Sequence, residues 1–193
     1  MRIVLVVASL LLILVIAVGV VYLADQSRSQ LPDLGRVPPF EFTERSGDTF
    51  GLNEMQGRLA VCDFMFTSCV SICPTMSANM ADLYRAFHGS DKVRFVSITV
   101  DPKNDTIEAL AEYAKDMGVS DDRWLFLRAS MDEVRDLSRN GFKLAADGFP
   151  MGHSTRFVLI DQAGRIRGYY DGMDEASMRI LKQHVRELVK QIP

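Results

Sequence analysis

The sequence predicts an α/β sandwich with a mixed central sheet, preceded by one transmembrane helix. Three observations support this prediction: an apolar run of membrane-spanning length near the start, strand patterns that alternate with helical patterns, and a β-hairpin pattern before the last helix. The chain of 193 residues is long enough for one globular domain plus such a helix.

The apolar run covers residues 3–23 and consists mainly of Val, Leu, Ile and Ala. About 21 residues form roughly 32 Å of helix, which matches the hydrocarbon core of a bilayer. The run is longer than the core of a signal peptide, and Tyr22 stands where a cleavage site needs a small residue. We therefore expect residues 1–24 to be an uncleaved anchor. The positive-inside rule places Arg2 in the cytoplasm and the domain on the other side of the membrane. The simplest location is a bacterial inner membrane with the domain in the periplasm.

Residues 25–39 follow the run and read as a linker, because they are polar, contain three prolines and lack periodicity. Residues 40–193 have the composition of a folded domain. All 25 acidic residues follow the apolar run, and so do all 22 basic residues except Arg2. The domain has no basic patch, which argues against a nucleic-acid partner.

Seven segments of the domain have strand patterns: residues 40–45, 49–52, 58–67, 93–100, 124–127, 155–160 and 166–170. The third and fourth are apolar nearly throughout, which is typical of strands buried on both faces. Turns at residues 46–48 and 161–164 join the first and the last pair into hairpins.

Four segments have helical patterns: residues 74–88, 107–117, 131–140 and 176–192. Pro74 suits the first turn of the first helix, and Gly89 follows its end. Asp105 begins a capping-box pattern for the second, with Asp in place of the usual Ser or Thr. Strands that alternate with helices and end in a hairpin plus a helix fit a thioredoxin-like fold with additional N-terminal strands.

Cys69 and Cys73 stand four positions apart, between a predicted buried strand and a predicted helix. In helical geometry such residues share a face, with Cα atoms about 6 Å apart, which a disulfide accepts. Backbone N–H groups at a helix start favour anions, so we expect lowered thiol pKa values. The pair can therefore serve as a dithiolate, a disulfide or a metal site.

His153 is the candidate third ligand. It follows a loop-like stretch and precedes a strand, and in a thioredoxin-like sheet that loop can reach the start of the helix that carries Cys73. Thiolates select Cu(I) or zinc, and imidazole serves both metals. Two sulfurs plus one nitrogen suit three-coordinate Cu(I) but leave a structural zinc site one ligand short.

Three motifs together resemble the Sco/SenC family of copper-binding proteins required for cytochrome c oxidase assembly. They are Phe66-Thr67-Ser68-Cys69-x-x-x-Cys73-Pro74, Val100-Asp101-Pro102-x-x-Asp105-Thr106, and Gly152-His153-Ser154 leading into Phe157-Val158-Leu159-Ile160-Asp161. The resemblance runs from about residue 40 to the C-terminus and implies that Cys69, Cys73 and His153 bind copper. It also implies that the chain delivers copper to the CuA centre of the oxidase, or reduces the cysteines of that centre.

The partner implied by the resemblance is the CuA-bearing oxidase subunit or another copper chaperone. Val70 and Ser71 stand where family members commonly have Pro and Asp. Asp101 can cap a loop, tune the thiols or contact a partner. Cys62 lies within a predicted buried strand and is expected to pack as a small hydrophobe.

The cysteine pair also allows readings without copper. A thiol-disulfide oxidoreductase would use the same residues, although its usual motif is C-x-x-C. A static disulfide is compatible with an oxidising compartment. A peroxidase of the peroxiredoxin kind would need Thr or Ser three residues before the reactive cysteine, where this chain has Phe66 and Val70. An interaction module without chemistry would not need the intact pair.

Overall fold

The computed structural model describes residues 11–19 and 31–192 of the chain, which divides into two compact units, Met1–Leu31 and Pro32–Pro193. In the first unit, residues 11–19 form helix α1. Among the described residues, no helix combines the length and the apolar character needed to cross a bilayer. Most of the predicted anchor, residues 1–24, lies outside the described residues, and so do residues 25–30 of the predicted linker.

The second unit is built on one seven-stranded sheet with the order β2-β1-β5-β4-β3-β6-β7. In chain order, strands β1 to β7 are Glu41–Glu44, Thr49–Gly51, Leu59–Met65, Val93–Thr99, Trp124–Arg128, Arg156–Ile160 and Ile166–Asp171. Strands β3, β4 and β5 run parallel, and the remaining pairings are antiparallel. The predicted mixed sheet is therefore confirmed.

Strand β3 lies in the interior of the sheet, between β4 and β6. All seven of its residues are buried, and it pairs with β4 over its whole length, from Leu59 opposite Val93 to Met65 opposite Thr99. A strand that is covered on both faces loses the alternation of polar and apolar residues. This burial explains the continuous apolar pattern of residues 58–67.

Helices α2 to α6 are Leu52–Met55, Cys73–Ala86, Ile107–Asp116, Met131–Asp136 and Glu175–Val189. Helix α2 is a single turn that the sequence pattern assigned in part to a strand. Helix α5 continues into a π-helical turn at Leu137–Gly141, which closes the segment predicted as one helix. The capping residue of α4 is Thr106, whose hydroxyl accepts from the Ala109 N–H at 3.2 Å, and not Asp105 as predicted.

Helices cover both faces of the sheet. On one face, Tyr84 of α3 packs its ring against Phe95 and Trp124 of the central strands. On the other face, Phe64 of β3 packs against Phe142 and Phe149 in the segment that follows the π-helical turn. Aromatic pairs of this kind add to the stabilisation that comes from buried area alone. The two covered faces make the α/β sandwich that the sequence predicts.

Part of the predicted linker is paired with the last hairpin. The Leu34 N–H donates to the Ile166 oxygen at 2.9 Å, and the Val37 N–H donates to the Gly164 oxygen at 3.0 Å. Val37 is also buried in the core. The ordered domain therefore includes residues upstream of Phe40.

Candidate metal centre

Three side chains from separate parts of the chain meet at one end of the sheet. Cys69 lies in the loop after β3, Cys73 is the first residue of α3, and His153 lies in the loop before β6. One donor atom from each of the three residues falls within 4.8 Å of the other two. The fold thus brings together all three residues that the sequence singles out as ligands.

The two cysteines do not share a helix, which corrects the helical geometry expected from their spacing. Helix α3 begins at Cys73 after the N-cap Ile72, and Cys69 lies in the irregular loop before it. The Cys69 N–H donates to the Phe66 oxygen at 3.3 Å and closes a turn directly after β3. This turn, rather than a helical face, sets the position of the Cys69 sulfur.

The His153 ring is held in one orientation. Its Nδ1 donates to the Ser154 backbone oxygen at 3.1 Å, so the lone pair is on Nε2, which lies 3.2 Å from the Cys73 Sγ. The His153 ring also contacts the Phe66 ring. The planes of the two rings are nearly perpendicular, and their centroids are 5.9 Å apart. A histidine whose second nitrogen is bonded in this way presents a fixed nitrogen to a metal ion.

A tight backbone contact supports the loop that carries His153. The Gly152 N–H donates to the Gly148 oxygen at 2.6 Å. A Cβ added to Gly152 would lie 3.0 Å from the Gly148 Cα, and a Cβ added to Gly148 would lie 2.9 Å from the Gly152 Cα. Because side chains do not fit in this contact, glycine is needed at both positions to place His153.

The two thiols differ in acidity. Burial, and after it the hydrogen bond with the Cys69 side chain, together raise the pKa of Cys73 to about 12. Burial acts in the same direction on Cys69, but interactions with the Cys73 and Ser71 side chains and with backbone N–H groups outweigh it and lower the pKa of Cys69. The predicted lowering is therefore right for Cys69 and wrong for Cys73, because Cys73 is buried at the helix start while Cys69 is half-exposed.

Burial lowers the pKa of His153 despite its hydrogen bond to the Ser154 carbonyl. At neutral pH the ring is uncharged, and the Cys73 thiol donates to Nε2. A neutral imidazole is the form that binds metals. The site can therefore accept a cation once the cysteines release their protons.

The spacing of the donor atoms fits one bound ion. Metal bonds of roughly 2.3 Å to sulfur and 2.0 Å to nitrogen place three donors around one ion about 4 Å apart. The separations of at most 4.8 Å between the donors of Cys69, Cys73 and His153 are close to that value. Two soft sulfurs and one imidazole form the donor set that suits copper.

The sequence pattern missed the part that Asp105 plays near this site. Its fully buried carboxylate accepts from the Thr67 N–H at 3.2 Å, from the Thr67 hydroxyl at 2.5 Å and from the Thr99 hydroxyl. A usable signal was present, because Thr67 and Asp105 follow neighbouring parallel strands, whose carboxyl ends meet at one edge of a sheet.

The other residues considered at the sequence level have local roles. The Asp101 carboxylate accepts from the Asn104 amide at 2.7 Å, which holds the loop after β4. Cys62 is fully buried in β3, and burial raises the pKa of its thiol. Cys62 therefore packs as the small hydrophobe that the strand pattern predicts.

Comparisons with known proteins point to one family. The SCO1/SenC family model matches residues 29–190. The SCO1 protein homolog of Bacillus subtilis (strain 168) is 32% identical over 145 residues, which are 72% of this chain and 75% of that protein. A SCO1/SenC family lipoprotein from Bacillus anthracis str. Ames has a TM-score of 0.75 at 31% identity, covering 83% of this chain and 99% of that chain.

Two further solved structures share this architecture. BsSco, described as a member of the Sco family of cytochrome c oxidase assembly proteins with a disulfide switch, has a TM-score of 0.72 at 29% identity, over 82% of this chain and 96% of that one. Copper-bound ScoI of Arabidopsis thaliana has the same fold, with a TM-score of 0.63 at 20% identity, over 79% of this chain and 99% of that one. These likenesses confirm the predicted thioredoxin-like fold.

Proposed function

Because this chain belongs to the SCO1/SenC family, we propose that it is a copper metallochaperone that acts in the assembly of cytochrome c oxidase. Copper is its cargo, and Cys69, Cys73 and His153 are its ligands. The observation that carries the proposal is the convergence of one donor atom from each of these residues within 4.8 Å. Relatives of the same family include proteins described as copper-bound and as oxidase assembly factors.

The chemistry of the donors favours copper over zinc. Three donors satisfy Cu(I), whereas a structural zinc site needs four. His153 is already neutral and oriented, so its nitrogen binds without prior loss of a proton. Cys73 must lose the proton that it shares with Nε2, and the positive charge of the ion drives that loss.

The exposure of the site suits release of the ion. Cys69 is half-exposed, and Val70 beside it is 94% exposed. An acceptor thiolate can therefore approach the ion and replace Cys69 first, then Cys73 and His153. We assign the CuA-bearing subunit of the oxidase as the acceptor, with another copper chaperone as the alternative partner.

The location that fits this role is the outer face of a bacterial inner membrane. Residues 1–24 are the proposed single-pass anchor and residues 40–193 the main part of the proposed periplasmic domain. Of the predicted linker, residues 25–39, the part that contains Leu34 and Val37 is hydrogen-bonded to that domain. The apolar composition of residues 3–23 supports the anchor. The relative from Bacillus anthracis is described as a lipoprotein.

The unequal thiols favour a second activity, the reduction of client disulfides. The half-exposed Cys69 has the lower pKa and supplies the attacking thiolate. Its sulfur would bond to one client sulfur and release the other as a thiolate. Cys73 then passes its proton to Nε2 of His153 and attacks Cys69, which forms the intramolecular disulfide and releases the second client sulfur as a thiolate. This thiolate takes the proton from Nε2, and solvent protonates the first client thiolate.

A copper titration of the reduced protein under anaerobic conditions tests the metallochaperone proposal. We expect one copper per chain, near-complete loss of binding in Cys69→Ala or Cys73→Ala, and weaker binding in His153→Ala. Cys62→Ala is the matched control, because this third thiol is buried in β3 and belongs to no ligand cluster among the described residues. If the double variant of Cys69 and Cys73 titrates like the wild type, the proposal is wrong.

A further inference from the structure

The carboxylate of Asp105 links two loops that leave neighbouring strands. Asp105 is 0% exposed and ends the loop that follows β4. Both of its oxygens accept hydrogen bonds from Thr67, which lies in the loop that follows β3. Buried polar groups that lose their hydrogen-bond partners cost free energy, so bonds of this kind hold both partners in place. The first loop is thereby tied to the second directly after the two strands end.

The Asp105 carboxylate does not cap helix α4. Thr106 supplies the capping oxygen, and its hydroxyl accepts from Ala109. The backbone of the segment that ends at Asp105 is held separately. The Arg128 guanidinium donates to the backbone oxygen of Asp105 at 3.1 Å and to the backbone oxygen of Pro102 at 2.8 Å. A rigid segment therefore presents a buried acceptor to Thr67.

Thr67 is part of the turn that positions the thiol pair. This turn runs from Phe66 to Cys69 and is closed by the hydrogen bond from the Cys69 N–H to the Phe66 oxygen. At one end of the turn the Phe66 ring contacts His153, and at the other end Cys69 presents its sulfur. The position of Thr67 thus affects both ends of the site.

We infer that Asp105 is a positioning residue, which holds the Phe66–Cys69 turn so that the Cys69 sulfur stays within reach of Cys73 and His153. The inference deepens the proposed function and rests on it for the copper arm of the test. Without the acceptor, the Thr67 N–H and hydroxyl lose their buried partner, and the turn is free to shift. A thiol that samples more positions meets a metal ion, or a second thiol, less often.

The first test is Asp105→Asn, which keeps the size of the side chain but replaces one acceptor oxygen with an NH₂ donor. We expect the affinity for Cu(I), measured by competition with a chelator, to fall about tenfold, as is typical for residues that support a metal ligand. In glutathione buffers without copper, we expect the Cys69–Cys73 pair to shift several-fold from the disulfide towards the dithiol. A folded Asp105→Asn protein with wild-type values in both assays would overturn the inference.

Thr99→Val is the matched control, because it removes a second hydrogen bond to the same carboxylate from a strand that holds no ligand. It should reduce thermal stability while leaving copper affinity and the disulfide equilibrium close to wild type. Equal losses in Thr99→Val and Asp105→Asn at matched stability would mean that the carboxylate has a general structural role, and the inference would fail.

A second pair of variants keeps the test decisive if Asp105→Asn does not fold. Thr67→Val removes the hydroxyl that Asp105 accepts from, and Thr67→Ser keeps it. We expect Val to weaken copper binding and Ser to restore it; identical behaviour of the two would contradict the inference. If the wild type itself binds no copper, the proposed function fails, while the glutathione assay still decides the role of Asp105.

Discussion

Nε2 of His153 lies 3.2 Å from Sγ of Cys73, although the two residues are 80 positions apart in the chain. The contact joins the loop before β6 to the start of α3. It places a thiol with a raised pKa against an imidazole with a lowered pKa, and burial is the main cause of both shifts. In this neutral pair the proton is on sulfur, and a cation that binds here must displace it.

Copper binding should therefore depend on pH. Because the pKa of Cys73 is about 12, its proton is present throughout the physiological range and is released on binding. The affinity should rise about tenfold per pH unit for each proton released, and at least one proton should be released between pH 6 and 9. Calorimetry in buffers of different ionisation enthalpy counts these protons. A flat affinity across this range would contradict the assignment of Cys73 as a ligand.

The pKa of His153 determines the pH below which a proton competes with copper for the imidazole. Since burial lowers this pKa below the ordinary value, the ring competes with copper for a proton only at a pH below its usual titration range. Copper affinity rises with pH because Cys73 releases a proton on binding, and this rise should thus keep the same slope through pH 6.5. A separate break near that pH would mean that the ring titrates as an exposed histidine.

Gly152→Ala should disturb the copper site although it replaces none of the three ligand residues. The added Cβ meets the Gly148 Cα at 3.0 Å, so the loop must shift and carry His153 with it. We expect copper affinity to fall towards that of His153→Ala, measured by chelator competition.

Gly118→Ala is the control for this substitution. Gly118 follows α4 with φ +76, and no atom lies within 4 Å of an added Cβ. The left-handed backbone should lower stability by about 1 kcal/mol, with copper affinity unchanged. A Gly152→Ala protein that binds copper like the wild type would show that the contact with Gly148 does not place the histidine.

Asp63→Asn should stabilise the protein more at pH 8 than at pH 5. Asp63 is buried in β3, and burial raises its pKa to about 7 despite the hydrogen bond from the Ser97 hydroxyl at 2.7 Å. Folding takes up a proton between the unfolded value of 3.8 and about 7, so this carboxyl lowers stability as pH rises through that window. The difference between the unfolded and folded pKa values of Asp63 corresponds to a loss of folding free energy of at most on the order of 4 kcal/mol. Chemical denaturation at both pH values measures it.

Asp161→Asn is expected to show the opposite sign. Burial alone would raise the pKa of Asp161, but hydrogen bonds from Arg165, Arg167 and backbone N–H groups lower it overall. Its ionised form therefore stabilises the fold above the ordinary pKa of an Asp, and that contribution is lost as pH falls. This variant should lose stability at pH 8 and less at acidic pH. If both variants change stability equally at every pH, the two carboxyls are not titrating as their surroundings require.

Val70→Asp should slow copper transfer without weakening copper binding. Val70 is 94% exposed beside Cys69, where an acceptor must approach, and a carboxylate there would have to lose water in the complex. Stopped-flow absorption with a purified CuA domain measures the transfer rate. Ile180→Asp, on the exposed side of α6, is the control. Equal rates for both variants would place the acceptor surface elsewhere.

The sequence predicted most of the fold because its strongest signals are local. The buried strands β3 and β4 follow from continuous apolar runs, and Pro74 and Gly89 bracket helix α3 closely. The seven strands lie within a few residues of the predicted bounds. The thioredoxin-like arrangement then follows from the order of the elements.

The geometry of the site was less accessible, because it depends on contacts between loops. Spacing alone suggested a shared helical face for Cys69 and Cys73, but a turn anchored by Thr67 takes the first cysteine out of the helix. The unequal pKa values arise from unequal burial, which residue type does not encode. Asp105 looked like a helix cap, since its partner Thr67 lies 38 positions away.

Absorption spectroscopy of the copper-loaded protein, compared between wild type and His153→Ala, tests the central claim most directly. The account predicts sulfur-to-Cu(II) charge-transfer bands at one copper per chain, and a clear change in their energy and intensity when the imidazole is removed. Identical spectra and affinities in the two proteins would show that His153 is not a ligand, and the three-donor site would then be wrong.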